Sequence, residues 1–198
     1  MPDKKTALSK LADAKKQNLF DSEMDELVSV INSFDEYYTT SCCAGRIVVS
    51  ESSSDNRKKS YAWLGKWHRE VSADEILSVV SKHKKGVLWL SVEPVIVHVV
   101  CETMDSASKI LKSARASGLK RSGIYQVEPR IIVEVIGVDG FSAPIGSNGK
   151  RFAGEKHIDF LVRLANKKIV CNREKRDAFL KELGCEDYMA LNEEKKWR

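Results

Sequence analysis

The chain has 198 residues, 42% of them hydrophobic, and a formal net charge of +5. This length suits one domain, and the apolar content is enough to bury a core, which argues against a disordered chain. No apolar run reaches membrane-spanning length and no signal-peptide pattern opens the sequence, so we expect a cytoplasmic protein that does not enter membranes.

The cysteine pattern argues against a scaffold built on thiols. The five cysteines are an odd number and contain no Cys-x-x-Cys pair, unlike a disulfide framework, a zinc ribbon or an iron–sulfur centre. We therefore expect no metal site. Cys101 and Cys171 are predicted to be small buried hydrophobic residues.

The basic residues are grouped, which is typical of a protein that binds a polyanion such as RNA. Solvated helix faces with interspersed acidic residues are the alternative, and they explain about half of the groups. The groups lie at 57–59, 82–85, 109–121, 150–151 and 167–176.

Apolar periodicity predicts two helices and then a hairpin in the first third of the chain. The helices are predicted over 6–19 and 22–33. The hairpin strands are predicted over 45–50 and 61–68, and the polar segment 51–60 between them is predicted to be the most mobile internal loop.

The rest of the chain alternates strand and helix signals. A capping box from Ser72 to Glu75 predicts a helix, and Asp105 is predicted to cap another that ends near Gly118. Segment 140–149 is predicted to be a loop, and a long last helix is predicted to stop at Gly184. Strands are predicted over 86–92, 95–101, 124–127 and 130–137, and the last helix over 155–183.

These elements predict an α+β protein in which a mixed β-sheet of seven to nine strands is flanked by helices, with a long C-terminal helix. A single domain is expected over 1–198, with a core at about 20–184 and a tail at 185–198 that frays. No strand-Gly-x-Gly-x-x-Gly-helix fingerprint occurs, so the fold is predicted to be non-Rossmann.

Residues 39–47 read Thr-Thr-Ser-Cys-Cys-Ala-Gly-Arg-Ile and carry the strongest functional signal. A small-residue loop that ends in Gly45 and Arg46 at the start of a strand is a good cradle for an anion or a ligand. Ser41 adds a hydroxyl, and Arg46 adds a fixed fork that matches carboxylate or phosphate. A plain tight turn is the alternative interpretation of this run.

The run resembles the Ser-x-Cys-[Ser/Ala]-Gly-Arg signature of the wybutosine-synthesising methyltransferases, the tRNA wyosine-derivative N4-methyltransferase family. The resemblance covers about 20–183, because other segments similar to the family follow in the same order. They are Trp63-Leu64 with His68, Val97 to Val100, Leu119 to Ile124, Ala143 to Ile145 and Ile158 to Val162.

The resemblance implies S-adenosylmethionine-dependent N4-methylation of 7-(3-amino-3-carboxypropyl)-4-demethylwyosine, next to the anticodon of tRNA(Phe). It also implies an unusual α/β arrangement and the tRNA anticodon loop as partner. A direct displacement at the sulfonium methyl needs in-line positioning and removal of one proton, so proximity is expected to be the main contribution.

The candidate residues follow from the resemblance and from their chemistry. Arg46 is expected to clamp the carboxylate of the cofactor, the aminocarboxypropyl tail of the substrate or a phosphate; a salt bridge at the strand edge is the alternative. Ser41 is expected to bind the same ligand, with a capping role as its alternative. The expected cofactor-binding residues are Ser41, Gly45, Arg46, Ser122 and Gly123.

His98 and His68 are the candidates for handling the proton, together with Ser41 as a catalytic residue, since histidine titrates near neutral pH. A satisfied core histidine is the alternative for His98, which lies within an apolar strand. His83 and His157 are predicted to be surface residues.

Aromatic and basic side chains are candidates for binding the RNA substrate. Trp63 is expected to stack a base or to face the sulfonium, and the same roles are open to Trp67, Tyr37 and Tyr38. Core packing is the alternative for these aromatic residues. Alternation predicts that Trp63 and Trp67 share one face of their strand. The expected substrate-binding residues are Arg46, Trp63, Lys120 and Arg121. Lys120 and Arg121 are expected to contact phosphates, and a solvated loop is the alternative.

Two other functions remain open from the sequence. One is a non-catalytic tRNA-binding adaptor of the same fold, which RNA binding without cofactor binding would indicate. The other is an S-adenosylmethionine enzyme with a different acceptor.

Overall fold

The computed structural model describes residues 1, 3–52 and 61–195, and side chains as far as residue 184. The helices are α1 (Lys4–Lys16), α2 (Asp25–Ser33), α3 (Ala73–Val80), α4 (Met104–Ala116) and α5 (Glu155–Lys195), with a 3₁₀ turn at Ser22–Met24. The strands are β1 (Tyr37–Cys43), β2 (Arg46–Ser52), β3 (Tyr61–Trp67), β4 (Val87–Glu93), β5 (Ile96–Cys101), β6 (Gly123–Gln126), β7 (Ile131–Ile136), β8 (Phe141–Ser147) and β9 (Lys150–Arg151).

The chain divides into two compact units, and each contains one antiparallel sheet. The first unit comprises Met1–Ala44, Val95–Val138 and Arg173–Arg198, and the second comprises Gly45–Pro94 and Asp139–Asn172. The predicted α+β class and the long C-terminal helix are confirmed. None of the helices in the described part of the chain has the length and apolar character needed to cross a bilayer.

The sheet of the first unit has the strand order β1-β5-β7-β6. Its core face carries Val97 and Val99 from β5 and Val133 and Val135 from β7, and these side chains are buried in one cluster. Residues of α2, α4 and the second half of α5 complete this core, among them Leu27, Ile31, Ile110, Phe179 and Leu183. Because side chains alternate along a strand, the residues between these valines project from the opposite face.

The sheet of the second unit has the strand order β3-β2-β4-β8-β9. Ile47 and Val49 of β2 and Leu88 and Leu90 of β4 are fully buried and form the centre of its core. Helix α3 and the first half of α5 supply the remaining apolar side chains, including Ile76, Val79, Ile158, Leu161 and Ala165.

The helix ends follow local capping rules. The predicted capping box of α3 is confirmed, since the Ser72 hydroxyl accepts from the Glu75 amide and the Glu75 carboxylate accepts from the Ser72 amide. The predicted cap at Asp105 was wrong. Thr103 caps α4, and its hydroxyl accepts from the Ser106 amide at 3.1 Å.

Two segments predicted as loops are strands. The small polar residues of 39–43 belong to β1, which pairs along its length with β5. Segment 140–149 contains β8, and the strand accommodates Pro144 because its register against β4 shifts beside that residue. Both strands form through pairing with distant segments, which a local composition rich in turn residues does not reveal.

The last helix is longer than predicted. It continues through Gly184 to Lys195, so the predicted stop at Gly184 was wrong. Gly118, in contrast, has φ +85° and ends α4 as predicted. The predicted loop at 51–60 lies largely outside the described residues, because 51 and 52 belong to β2 and 53–60 are not described.

The two glycines Gly184 and Gly118 provide a matched test of where the helices end. Gly184→Ala replaces an exposed glycine inside a helix, so we expect a stabilisation of about 1 kcal/mol and a rise in Tm of about 2–4 °C. Gly118→Ala places a Cβ at positive φ and is expected to destabilise by about 1–2 kcal/mol. Thermal unfolding of both variants checks this, and a destabilised Gly184→Ala protein would show that the helix ends there.

Candidate functional site

The residues predicted to carry function are distributed over both units. The first unit contains Ser41, His98, Lys120, Arg121, Ser122 and Gly123, and the second contains Gly45, Arg46, Trp63 and His68.

Three polar residues, Ser41, His98 and Glu134, form a row across the sheet of the first unit, which we call the polar row. Ser41 of β1 pairs with His98 of β5, His98 pairs with Glu134 of β7, and Glu134 pairs with Gly123 of β6. His98 and Glu134 alternate with the buried valines of their strands, so they lie on the face opposite the core.

The polar row is hydrogen bonded. Ser41 Oγ lies 2.9 Å from His98 Nδ1, and His98 Nε2 lies 3.0 Å from Glu134 Oε2. Since an ionised carboxylate only accepts, His98 donates from Nε2, and Nδ1 of the neutral ring accepts from the Ser41 hydroxyl. Ser41 is exposed, whereas the side chains of His98 and Glu134 are 24% and 31% exposed. The arrangement therefore connects an accessible hydroxyl to a half-buried carboxylate through an imidazole.

A β-bulge places Ser41 opposite His98. The register of β1 against β5 shifts between Thr39, which pairs with Val99, and Ser41, which pairs with His98. Thr40 is thus the extra residue. Without the bulge, Thr40 and not Ser41 would face His98. Bulges are often found beside active sites, where they redirect a side chain in this way.

Glu134 is a functional candidate that sequence reasoning missed. A single carboxylate in the apolar strand Ile131–Ile136, on the side away from the valines, was the available signal. Its meaning depends on the register of β7 against β5, which the sequence pattern does not give. Tyr125 is a second residue that was missed, and its ring stacks on His98 with 5.3 Å between the ring centroids.

The segment before β6 has a structural and an exposed part. Ser122 is buried, and its hydroxyl donates to the Leu119 carbonyl at 2.7 Å and accepts from the Ile136 amide at 3.1 Å. Ser122 therefore fixes the turn that leads into β6. Lys120 and Arg121 are exposed, and a Cβ added at Gly123 would meet nothing within 4 Å.

A cavity of about 640 Å³ lies beside β1 in the first unit. Charges of both signs line it, together with hydroxyl groups and apolar side chains, so its walls suit a zwitterionic ligand with an apolar part. The lining includes Asp3, Lys10, Leu11, Phe20, Asp21, Tyr38, Thr40, Ser41 and Arg130. Arg130 donates to the Tyr38 hydroxyl at 3.3 Å.

Tyr37 and Tyr38 are both 1% exposed, which favours core packing over base stacking as their role. Tyr37 lies in the core cluster of the first unit, and its hydroxyl donates to the Ser106 carbonyl at 3.1 Å. Tyr38 presents its hydroxyl to Arg130 at the cavity wall.

The thiol of Cys42 is unreactive for electrostatic reasons. Burial, and after it the neighbouring charge of Asp21, raises the pKa of Cys42 to about 12. The thiol therefore stays protonated at neutral pH and is a poor nucleophile. Cys101 is buried as predicted, whereas Cys171 is only half-buried.

Gly45 opens the second unit at a position that requires glycine. Its φ is +93°, a value that residues with a Cβ adopt only with steric strain. Its carbonyl accepts a hydrogen bond of 3.1 Å from Nδ1 of His68. This bond fixes the tautomer of the neutral imidazole, so Nε2 is its basic nitrogen.

Arg46 is held on two sides. Its Nε donates to Glu93 Oε2 at 2.5 Å, and its guanidinium lies 4.4 Å from the ring centroid of Trp63. Lys66 Nζ lies 5.3 Å from the same ring. The salt bridge given as an alternative is therefore present, and it fixes the orientation of the guanidinium that was predicted to bind a ligand.

The prediction that Trp63 and Trp67 share a face was wrong. The register of β2 against β3 moves from Val49–Gly65 to Ser50–Trp63, which leaves Leu64 as an extra residue. Leu64 and Trp67 consequently pack against the core of the second unit. The bulge reverses the alternation, so Trp63 lies with Arg46 and is 47% exposed.

The two histidines predicted to be surface residues differ. His157 is exposed, as predicted. His83 is buried, so that prediction was wrong: its Nδ1 lies 3.0 Å from Glu51 Oε2. The partner comes from β2, which lies 32 positions away in sequence and was not foreseeable from the charged residues around His83.

Comparison with known proteins gives consistent results. The family described as Methyltransferase TYW3 matches residues 2–184. Relatives from Thermococcus sibiricus and Methanocaldococcus jannaschii both carry the name tRNA(Phe) 7-((3-amino-3-carboxypropyl)-4-demethylwyosine(37)-N(4))-methyltransferase. The first is 38% identical over 173 residues, which are 87% of this chain and 88% of the relative. The second is 36% identical over 176 residues, 88% and 91% of the two chains.

Solved structures show the same fold. The protein PH1069 from Pyrococcus horikoshii superposes with a TM-score of 0.88 at 36% identity, over 92% of this chain and 94% of that one. A hypothetical protein from Aeropyrum pernix has a TM-score of 0.72 at 28% identity, over 82% and 96%. Fold and comparisons together define a methyltransferase with an α+β architecture. The chain belongs to the Methyltransferase TYW3 family, as the sequence resemblance predicted.

Proposed function

We propose that this protein methylates N4 of 7-(3-amino-3-carboxypropyl)-4-demethylwyosine, next to the anticodon of tRNA(Phe), with S-adenosylmethionine as donor. Family membership and the names of the relatives support the reaction. The observation that carries the proposal is the hydrogen-bonded polar row of Ser41, His98 and Glu134, which begins in the signature segment. We also propose that both units serve one methyltransferase domain and that it acts in the cytoplasm.

The residues of the first unit fit the proposed cofactor. S-adenosylmethionine has a carboxylate, an ammonium, a sulfonium, hydroxyls and an aromatic base, and its volume suits the cavity of about 640 Å³. Lys10 and Arg130 would balance its carboxylate, and Asp21 its positive charges, while Phe20 provides an apolar wall. When bound, the cofactor supplies an electrophilic methyl group.

The polar row would remove the proton that the acceptor nitrogen loses on methylation. Ser41 Oγ takes the proton from the nitrogen while its own hydroxyl proton passes to Nδ1 of His98. The Glu134 carboxylate holds the Nε2 proton of the ring and stabilises the imidazolium that forms. The nitrogen thereby keeps its electron pair for the new bond to carbon.

Arg46 would bind an anionic group. Glu93 and Trp63 hold its guanidinium in one orientation, so less conformational freedom is lost when a carboxylate or phosphate binds. Lys120 and Arg121 in the first unit are exposed and would contact phosphates of the RNA. Gly45, Ser122 and Gly123 remain predicted cofactor-binding residues. Gly45 fixes the backbone next to Arg46, and Ser122 fixes the turn next to Gly123.

The central test is methyl transfer by the His98→Gln variant. We expect the rate to fall by about 10²–10⁴-fold, because the amide cannot take the proton from Ser41. Single-turnover transfer from labelled S-adenosylmethionine to tRNA(Phe) bearing the demethylwyosine derivative measures this, with His157→Gln as the exposed control. Normal turnover by His98→Gln would remove the polar row from the mechanism.

RNA binding by the wild-type protein without cofactor binding or methyl transfer would instead indicate the non-catalytic tRNA-binding adaptor.

A second prediction concerns the fixed orientation of Arg46. Arg46→Lys keeps the charge but loses the planar fork, so we expect KM for the cofactor or for the tRNA to rise about tenfold. The matched control is Arg163→Lys, since Arg163 is an exposed arginine paired with Asp159. Steady-state kinetics with each substrate varied in turn will show which ligand Arg46 binds. Unchanged constants for both Arg46→Lys and Arg46→Ala would leave the salt bridge with Glu93 as its role.

A further inference from the structure

Tyr125 is an exposed aromatic residue beside the polar row. Its ring lies 5.3 Å from the ring of His98 with 23° between the planes, which is a stacked arrangement. The residue is nevertheless 65% exposed, so the rest of its ring is accessible. An exposed aromatic ring that is already held in place by stacking offers a preformed surface for a second planar group.

The backbone around Tyr125 also exposes it. Strand β6 lies at the edge of its sheet, and its register against β7 shifts between Ile124 and Gln126, so Tyr125 is the extra residue of a bulge. Two positions earlier, Gly123 pairs with Glu134, and a Cβ there would meet nothing within 4 Å. The sheet face next to Tyr125 is thus open where the polar row ends.

The basic residues close to Tyr125 in sequence fit an RNA strand. Lys120 and Arg121 are both exposed and lie within the turn that leads into β6. The apolar side chains Ile124 and Val127 are exposed on either side of Tyr125. An aromatic ring flanked by cations and apolar surface is the combination that binds unpaired nucleotides, by stacking the base and pairing the phosphates.

We propose that Tyr125 is the stacking platform for the acceptor base, and that Lys120 and Arg121 bind the phosphates beside that nucleotide. The inference rests on the proposed function, because it assigns the place where the modified guanine meets the polar row. The 5.3 Å between the ring centroids is an offset stack, so His98 covers only part of one face of Tyr125. A tricyclic base on the uncovered part of that face would lie beside the imidazole, which pairs with Ser41 across the sheet.

The test is RNA binding by variants of Tyr125. An anticodon stem-loop of tRNA(Phe) with 2-aminopurine in place of the acceptor base is titrated with the full chain, and both Kd and fluorescence quenching are measured. We expect Tyr125→Phe to match wild type. Tyr125→Leu and Tyr125→Ala should raise Kd about tenfold and lose most of the quenching, because no aromatic face remains. Tyr61→Leu changes an exposed tyrosine of the second unit and should have no effect.

Kinetics separate this role from support of His98. The proposal predicts a higher KM for tRNA, an unchanged KM for S-adenosylmethionine and a nearly unchanged kcat in Tyr125→Leu. Wild-type Kd and quenching in that variant would overturn it, as would a fall in kcat at constant RNA affinity, which would show that Tyr125 only positions His98. If wild type quenches the probe but transfers no methyl group to the demethylwyosine-bearing tRNA, the proposed reaction fails while the platform stands.

Discussion

The antiparallel register of β1, β5 and β7 brings three distant polar residues into hydrogen-bonding range. Ser41, His98 and Glu134 are separated by 57 and 36 positions in sequence, and each lies directly opposite the next across the sheet. The same alternation buries Val97 and Val99 in the core and places His98 on the other face. A slip of one residue would bury the histidine and expose the valines, so the hydrophobic core itself maintains the geometry of the site.

The signature segment contributes differently to each unit. Ser41 and the bulge at Thr40 belong to the first, where the bulge selects which hydroxyl faces His98. Gly45 and Arg46 belong to the second, where positive φ and the contacts of Arg46 with Glu93 and Trp63 set the backbone and the guanidinium. Both halves of the segment thus use backbone irregularity and secondary contacts to fix side chains in advance of ligand binding.

Much of the architecture was predictable because it depends on local chemistry. The capping box at Ser72, the C-cap at Gly118 and the apolar runs of β4, β5 and β7 are all local signals. The strand character of 39–43 and of the segment around Pro144 comes from pairing with distant strands, and it was missed. Gly184 is a local stop signal that the structure overrides, because glycine inside a helix costs only about 1 kcal/mol and packing can offset that cost.

The candidate site was predictable as separate residues and not as an arrangement. Ser41 and His98 each have their own signal in the sequence, but their hydrogen bond and the part played by Glu134 depend on strand register. The β-bulges at Thr40, Leu64 and Tyr125 each change which side chain lies on which face. An extra residue in a strand leaves no mark in composition, so the faces of Trp63 and Tyr125 could be found only in the structure.

In the proposed mechanism the imidazole of His98 takes up the acceptor proton through Ser41. Nitrogen-15 NMR of protein labelled at histidine observes this ring directly, with His157 as an exposed internal reference. In this mechanism neutral His98 carries its proton on Nε2, and its Nδ1 resonance is expected to shift when demethylwyosine-bearing tRNA is added in the presence of S-adenosylhomocysteine. A proton on Nδ1, or a His98 resonance unaffected by the RNA, would contradict it.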